Sequence, residues 1–121
     1  MLIDSEPIHF EVLNEVLAAE GGLSAAENDE FIGTTTVFLW DTLIARRGLQ
    51  QPREVYEARY DAAVLRKLAQ PWPAADGVVD LVRCLQSLGV RLAVASSSKR
   101  AWVAATLRSI GLFIFVPIPR I

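Results

Sequence analysis

Pro71-Trp72-Pro73 divides this chain into two stretches whose apolar residues repeat in different ways, and no other feature limits the fold as much. Two prolines within three residues remove two backbone donors and push their predecessors out of the helical region, so one continuous helix cannot pass. Before the break every apolar run has helical spacing, and after it helical runs alternate with short β-branched ones.

In the first stretch Ile8, Val12, Leu13, Val16 and Leu17 recur on one helical face, with Ser5 or Glu6 as cap, Pro7 in the first turn and Gly21-Gly22 as stop. Ser24-Ala-Ala-Glu27 has the spacing of a capping box and predicts a short helix ending at Gly33. Thr34 to Thr36 then offer N-caps for Val37–Ile44, closed by Arg46-Arg47-Gly48. Tyr56, Tyr60, Val64 and Leu68 fall four apart and predict the longest helix, Pro52–Ala69; with Trp40 these tyrosines are expected in the core.

In the second stretch Val78, Leu81, Val82, Leu85 and Leu88 mark a helix stopped by Gly89, with Cys84 beside the apolar row and expected to pack. Val90–Ala95 reads as a buried strand, Trp102, Val103, Leu107 and Ile110 as a helix, and Leu112–Ile118 as a second strand. Such a unit pairs its strands in parallel through a right-handed crossover. Two strands are too few for a stable parallel sheet, which predicts a missing neighbour.

Composition removes several classes of function. At 121 residues the chain has room for one domain, and with 52% hydrophobic residues it buries a core. Twelve basic against fourteen acidic residues leave no surface to neutralise a string of phosphates, so nucleic acid is not an expected partner. Mean hydropathy is +0.31, but no uncharged run approaches the ~20 residues a membrane span needs. One cysteine forms no internal disulfide and the start MLIDSEP has no signal-peptide pattern, which makes the cytoplasm the expected compartment. One histidine and one cysteine give no zinc site by themselves, and Glu27, Asp29 and Glu30 read as solvated surface.

The strongest chemical signal is Leu92-Ala-Val-Ala-Ser96-Ser97-Ser98-Lys99, an apolar run leading into small hydroxyl residues and a helix start. A hydroxyl, successive amides and a helix dipole aimed at one place form an anion site. The same serines also suit plain helix capping, and Lys99 suits ordinary surface.

Five stretches in order carry a resemblance: Asp4-Ser5-Glu6-Pro7-Ile8-His9, Phe31-Ile-Gly33-Thr34, Ala74-Ala-Asp76-Gly77-Val78, Val94-Ala-Ser96-Ser97-Ser98 and Ile110-Gly111-Leu112. Together they resemble haloacid dehalogenase-superfamily phosphatases of the β-phosphoglucomutase-like branch. The resemblance implies an α/β fold, here a partial Rossmann-like parallel sheet with an inserted all-helical cap. Residues 1–6 would be a hinge remnant of the core, 7–72 the cap and 73–121 the partial core. It implies phosphoryl transfer through an aspartyl-phosphate with Mg²⁺, on a small phosphorylated metabolite such as a sugar phosphate.

The resemblance makes Ser96, Ser97 and Lys99 phosphate-binding residues, and Asp4, Ser5, His9, Gly33 and Thr34 hinge or cap contacts to substrate. Capping explains Asp4, Ser5, Gly33 and Thr34 equally, and a lone histidine on a helix is commonly solvent-exposed. The family's nucleophile pair Asp-x-Asp, its later lysine and the acidic pair that completes the Mg²⁺ site have no counterparts in this sequence. Asp4 aligns after the nucleophile motif and inherits no catalytic role. A non-catalytic binding or oligomerisation module and a gene fragment without function stay open as alternatives, as does self-association through Phe113 and Phe115 at the exposed sheet edge.

Overall fold

The computed structural model describes residues 2–113. Among them run the helices α1 (Glu6–Val16), α2 (Ala25–Phe31), α3 (Thr36–Arg47), α4 (Arg53–Leu68), α5 (Val78–Ser87) and α6 (Arg100–Ser109), with a 3₁₀ turn at Ala18–Glu20. The chain forms two compact units, one being Glu6–Val64 and the other the residues up to Ser5 together with those from Leu65 onward.

The Glu6–Val64 unit is a helical bundle whose boundaries are set by side-chain caps. Ser24 Oγ accepts from the Glu27 amide at 3.1 Å and starts α2; Thr35 Oγ1 accepts from the Phe38 amide at 3.1 Å and starts α3. Gly48 ends α3 at φ +61°, a left-handed conformation that costs a β-carbon-bearing residue energy. Inside, Trp40 is fully buried, its ring stacked on Tyr56 at 5.4 Å and edge-on to Tyr60 at 6.1 Å. Aromatic pairs in these geometries contribute about 0.5–1.5 kcal/mol beyond their buried area. Ile8, Val12 and Leu17 close the core from the α1 side.

Arg47, in the last turn of α3, fastens the loop that precedes α2. Its guanidinium donates to the carbonyls of Gly22 and Glu20 and to Glu27 Oε1 at 2.8 Å. Arg46 adds a 3.0 Å bond to Glu30. Glu27 and Glu30, expected as solvated surface, are therefore tied to α3, and the Arg47 hydrogen bond leads the interactions that hold the Glu27 carboxyl below its ordinary value. On the neighbouring helix Arg53 reaches both carboxylate oxygens of Asp41, at 3.0 and 2.9 Å.

In the other unit Val82, Leu107, Ile110 and Leu112 form the buried cluster, with Leu2, Ile3, Val78, Leu92, Val94 and Val103 partly buried against it. The end of α4 is pinned to the end of α6: Ser109 Oγ donates to the Gln70 carbonyl, the Trp72 amide donates to the Ser109 carbonyl, and the Trp72 indole donates to the Lys67 carbonyl. The two prolines thus sit in an anchored turn.

The expected parallel sheet is corrected by this structure. Among the described residues there is no strand, and the architecture is helical. Residues 91–95 do alternate, Leu92 and Val94 inward and Arg91, Ala93 and Ala95 outward, while Val90 is exposed, so a period-two pattern governs side-chain burial over these five residues. A strand, however, is made by a partner that exchanges backbone hydrogen bonds, and burial alone does not supply one. Leu2 and Ile3 pack on the same cluster, and the Leu2 carbonyl accepts from the Ala75 amide at 2.8 Å. The second expected strand, Leu112–Ile118, lies outside the described residues beyond Phe113, as does Phe115 with the self-association expected there. Leu112 itself is buried, and Phe113 is stacked under the Arg108 guanidinium at 4.1 Å.

Cys84 is also corrected: it is exposed. Helix α5 carries two apolar stripes, and the cluster takes the one through Val78 and Val82, leaving Leu81, Cys84 and Leu88 outward.

Replacing Arg47 with Met keeps the aliphatic stem and removes the charge-assisted bonds to Gly22, Glu20 and Glu27. Urea denaturation followed by far-UV circular dichroism should show a loss of about 2 kcal/mol, against about 1 kcal/mol for the cap deletion Thr35→Ala.

Candidate functional site

Each group of site residues belongs to one unit. In the unit completed by Leu65 onward, the run from Val90 leaves the buried cluster at Val94 and reaches the exposed Ser96, Ser97 and Ser98. Ser96 Oγ accepts from the Ser98 amide at 3.1 Å, which curls the loop immediately before α6. Lys99 occupies the N-cap position with extended ψ of 140°, and its own side chain makes no capping hydrogen bond. The Lys99 ammonium lies over the Trp102 ring, 5.1 Å from its centroid, one turn along the helix. A lysine–aromatic pair three apart on a helix was legible in the sequence.

Asp4 and Ser5 immediately precede α1, Asp4 exposed and Ser5 half-buried. A shallow groove lined by Leu68, Pro71, Ala105 and Arg108 lies along the later turns of α6, the opposite end of that helix from the serines. Its polar lining is Gln70, Arg108 and Ser109.

In the Glu6–Val64 unit Gly33 stands at φ +80° with open space where a β-carbon would project. The Thr34 hydroxyl donates to the Phe31 carbonyl at 2.6 Å, so it closes the C-terminus of α2. Next to this turn Ile32, Val37 and Phe38 are about half exposed, giving it an apolar rim. His9 is elsewhere in the bundle, hydrogen-bonded through Nδ1 to the Tyr60 hydroxyl at 2.5 Å with the two rings near-parallel at 5.9 Å. It is half-buried rather than solvent-exposed. Burial lowers the His9 pKa, with the Glu6 carboxylate opposing in the other direction; burial, then the same carboxylate, raises that of the Tyr60 phenol. Tyr60 was expected only as core. Its hydroxyl required a partner once buried, but a residue 51 positions away leaves no spacing signal.

The Mg²⁺ implied by the resemblance needs converging carboxylates, and among the described residues no three His, Cys, Asp or Glu side chains are placed to hold a metal ion. These residues do not fit the ion, and no chemical step is routed through it. No helix among the described residues is long and apolar enough to cross a membrane.

The family model for haloacid dehalogenase-like hydrolases matches residues 2–118, and the chain belongs to that family. No curated protein matches it. Among solved structures it is similar to a β-phosphoglucomutase candidate from Thermotoga maritima, with TM-score 0.80 and 19% identity over 97% of this chain and 55% of that one. It is similar to CbbY from Rhodobacter sphaeroides in complex with phosphate, with TM-score 0.74 and 23% identity over 98% and 57%. A haloacid dehalogenase family hydrolase from Deinococcus radiodurans R1, with bound phosphate and sodium, gives TM-score 0.60 and 26% identity over 98% and 53%. The chain thus spans little more than half the length of these proteins.

The lowered His9 pKa has a signed consequence for stability. The unfolded chain takes up a proton near pH 6.5 that the folded chain resists, so the favourable contribution is complete above about pH 6.5 and is lost as pH falls below it. Chemical denaturation between about pH 7.5 and about pH 5.5 should show this loss in the wild type, and His9→Gln should flatten it.

Proposed function

We propose that the chain serves a phosphohydrolase or phosphomutase acting on a small phosphorylated metabolite, with the Ser96–Lys99 loop as the seat of the phosphoryl group. The single observation that carries the reading is this loop's geometry: the hydroxyls of Ser96 and Ser97 on an exposed turn that leads directly into the start of α6. An anion there gains hydrogen bonds and the favourable end of the helix dipole. Residues 7–72 act as the helical cap, Asp4 and Ser5 as its hinge, and His9 with the Gly33-Thr34 turn as its contacts to substrate. Support comes from relatives: CbbY has been seen with phosphate and, as a variant, with xylulose-(1,5)-bisphosphate. A sugar phosphate is the substrate class that fits, in the cytoplasm, with Mg²⁺ as the family's cofactor.

Turnover in this family passes through an aspartyl-phosphate, and the sequence contains no Asp-x-Asp pair. Phosphate positioning without a nucleophile does not replace the orders of magnitude that covalent catalysis provides. The chain alone should therefore bind inorganic phosphate with Kd in the millimolar range, about −4 kcal/mol, and not hydrolyse p-nitrophenyl phosphate. Calorimetric or NMR titration of Ser96→Ala should show binding weakened about tenfold through loss of one hydrogen bond to an anion. Unchanged binding in that variant overturns the assignment of the loop.

A second reading, an interaction module, is favoured by one observation: Leu81 on α5 and Leu88 immediately after it are 58% and 72% exposed. Apolar side chains this open lose unfavourable hydration on association. Sedimentation velocity at tens of micromolar should then show self-association that Leu88→Glu reverses; a monomer throughout removes this reading.

A further inference from the structure

The groove between the end of α4 and the later turns of α6 has a volume of about 390 Å³ and lies wholly within the unit completed by Leu65 onward. Leu65, Leu68, Pro71 and Ala105 give it an apolar lining, and Arg108 is the only charged side chain on it. Small-ligand sites combine these two features, an apolar wall and a few polar groups at fixed places. The wall is held in register by three bonds: Ser109 Oγ donates to the Gln70 carbonyl at 2.8 Å, the Trp72 amide to the Ser109 carbonyl at 3.2 Å and the Trp72 indole to the Lys67 carbonyl at 2.8 Å. A ligand therefore meets a groove already formed and does not have to order it.

Two polar groups of this lining are uncommitted. The exposed Arg108 side chain makes neither an ion pair nor a hydrogen bond with another described residue. Its guanidinium lies over the Phe113 ring at 4.1 Å, a contact that occupies a face of the planar group and limits its motion while its N–H edge stays available. The Gln70 side-chain amide, also exposed, has no hydrogen-bond partner among the described residues.

We propose that this groove is a binding site for a small monocarboxylate, its alkyl or aromatic body on Leu65, Leu68 and Ala105 and its carboxylate accepting from the Arg108 guanidinium. One cation on the lining matches one negative charge, and the guanidinium fork matches the two oxygens of a carboxylate. An exposed guanidinium–carboxylate pair contributes little in water by itself. The apolar lining supplies the rest, so a ligand with only one of the two features engages half the site. This site is separate from the Ser96–Lys99 loop and does not depend on the function proposed above.

The full chain labelled with ¹⁵N is titrated near neutral pH with octanoate, 1-octanol and acetate, and backbone amides and the Arg108 Nε–H are followed by NMR. Octanoate should shift residues 65–71 and 105–109 and the Arg108 Nε–H with Kd in the millimolar range, and the alcohol and acetate should each bind at least about tenfold more weakly. Arg108→Met keeps the aliphatic stem and should weaken octanoate about tenfold while leaving 1-octanol unchanged. The proposal is overturned if 1-octanol or acetate binds as tightly as octanoate, if Arg108→Met binds octanoate like the wild type, or if the shifts centre elsewhere, as on Leu81 and Leu88. Should Arg108→Met fail to fold, the comparison of octanoate with 1-octanol on the wild type decides the role of the charge.

Discussion

Burial of Trp40 is the constraint on which the Glu6–Val64 unit depends. Its indole is the largest fully buried side chain there, and it touches both tyrosines of α4 in two different geometries. That pair of contacts fixes the rotation of α4 relative to α3, because a helix turned by one residue would carry Tyr56 and Tyr60 away together. With α4 so fixed, the Tyr60 hydroxyl is presented to His9 on α1. Three helices are thus registered by one ring, and the polar group that follows from it is a histidine whose proton affinity is set by burial. Arg47 performs the complementary task at the periphery, where it donates to the backbone carbonyls of Glu20 and Gly22.

The other unit is governed by backbone hydrogen bonding. Its side chains are satisfied: Leu92 and Val94 pack inward on Val82, Leu107 and Leu112, as they would from a strand. The peptide groups of the same residues belong to no ladder among those described. Hydrophobic burial is non-directional and is met by any extended chain lying on the cluster, whereas a sheet needs a second chain at one spacing and one register. A likeness in fold at TM-score 0.80 over 97% of this chain shows that the path of the chain is shared with that neighbour.

The sequence disclosed most where a single residue type decides the outcome. Ser24, Thr35 and Gly48 announced the borders of α2 and α3 because capping oxygens and a left-handed glycine act locally. The Tyr56–Tyr60–Val64–Leu68 row announced α4 and its buried face for the same reason, since three helical turns are read from spacing alone. The sheet was not legible, because β-branched composition reports that a segment suits an extended form and says nothing about whether a partner is there. Cys84 was misplaced because α5 has apolar residues on two sides and periodicity does not say which side meets the core. The candidate site divided along the same line: the serine loop follows from local sequence, while the His9–Tyr60 bond joins residues that nothing in the linear order associates.

These two kinds of determinant also divide the chemistry. The Ser96–Lys99 loop owes its shape to the local chain: an exposed serine-rich turn, its curl fixed by an amide-to-hydroxyl bond, at the start of a ten-residue helix. It needs little from the rest of the molecule beyond Leu107 and Ile110 to anchor the helix. His9 is the opposite case, with a ring whose position and charge derive from tertiary packing against Trp40 and Tyr60. Loss of packing would therefore release His9 toward its ordinary pKa while leaving the serine hydroxyls in place. The serine turn and the histidine's protonation are accordingly two independent reporters of this chain, one of local backbone geometry and the other of the integrity of an aromatic core.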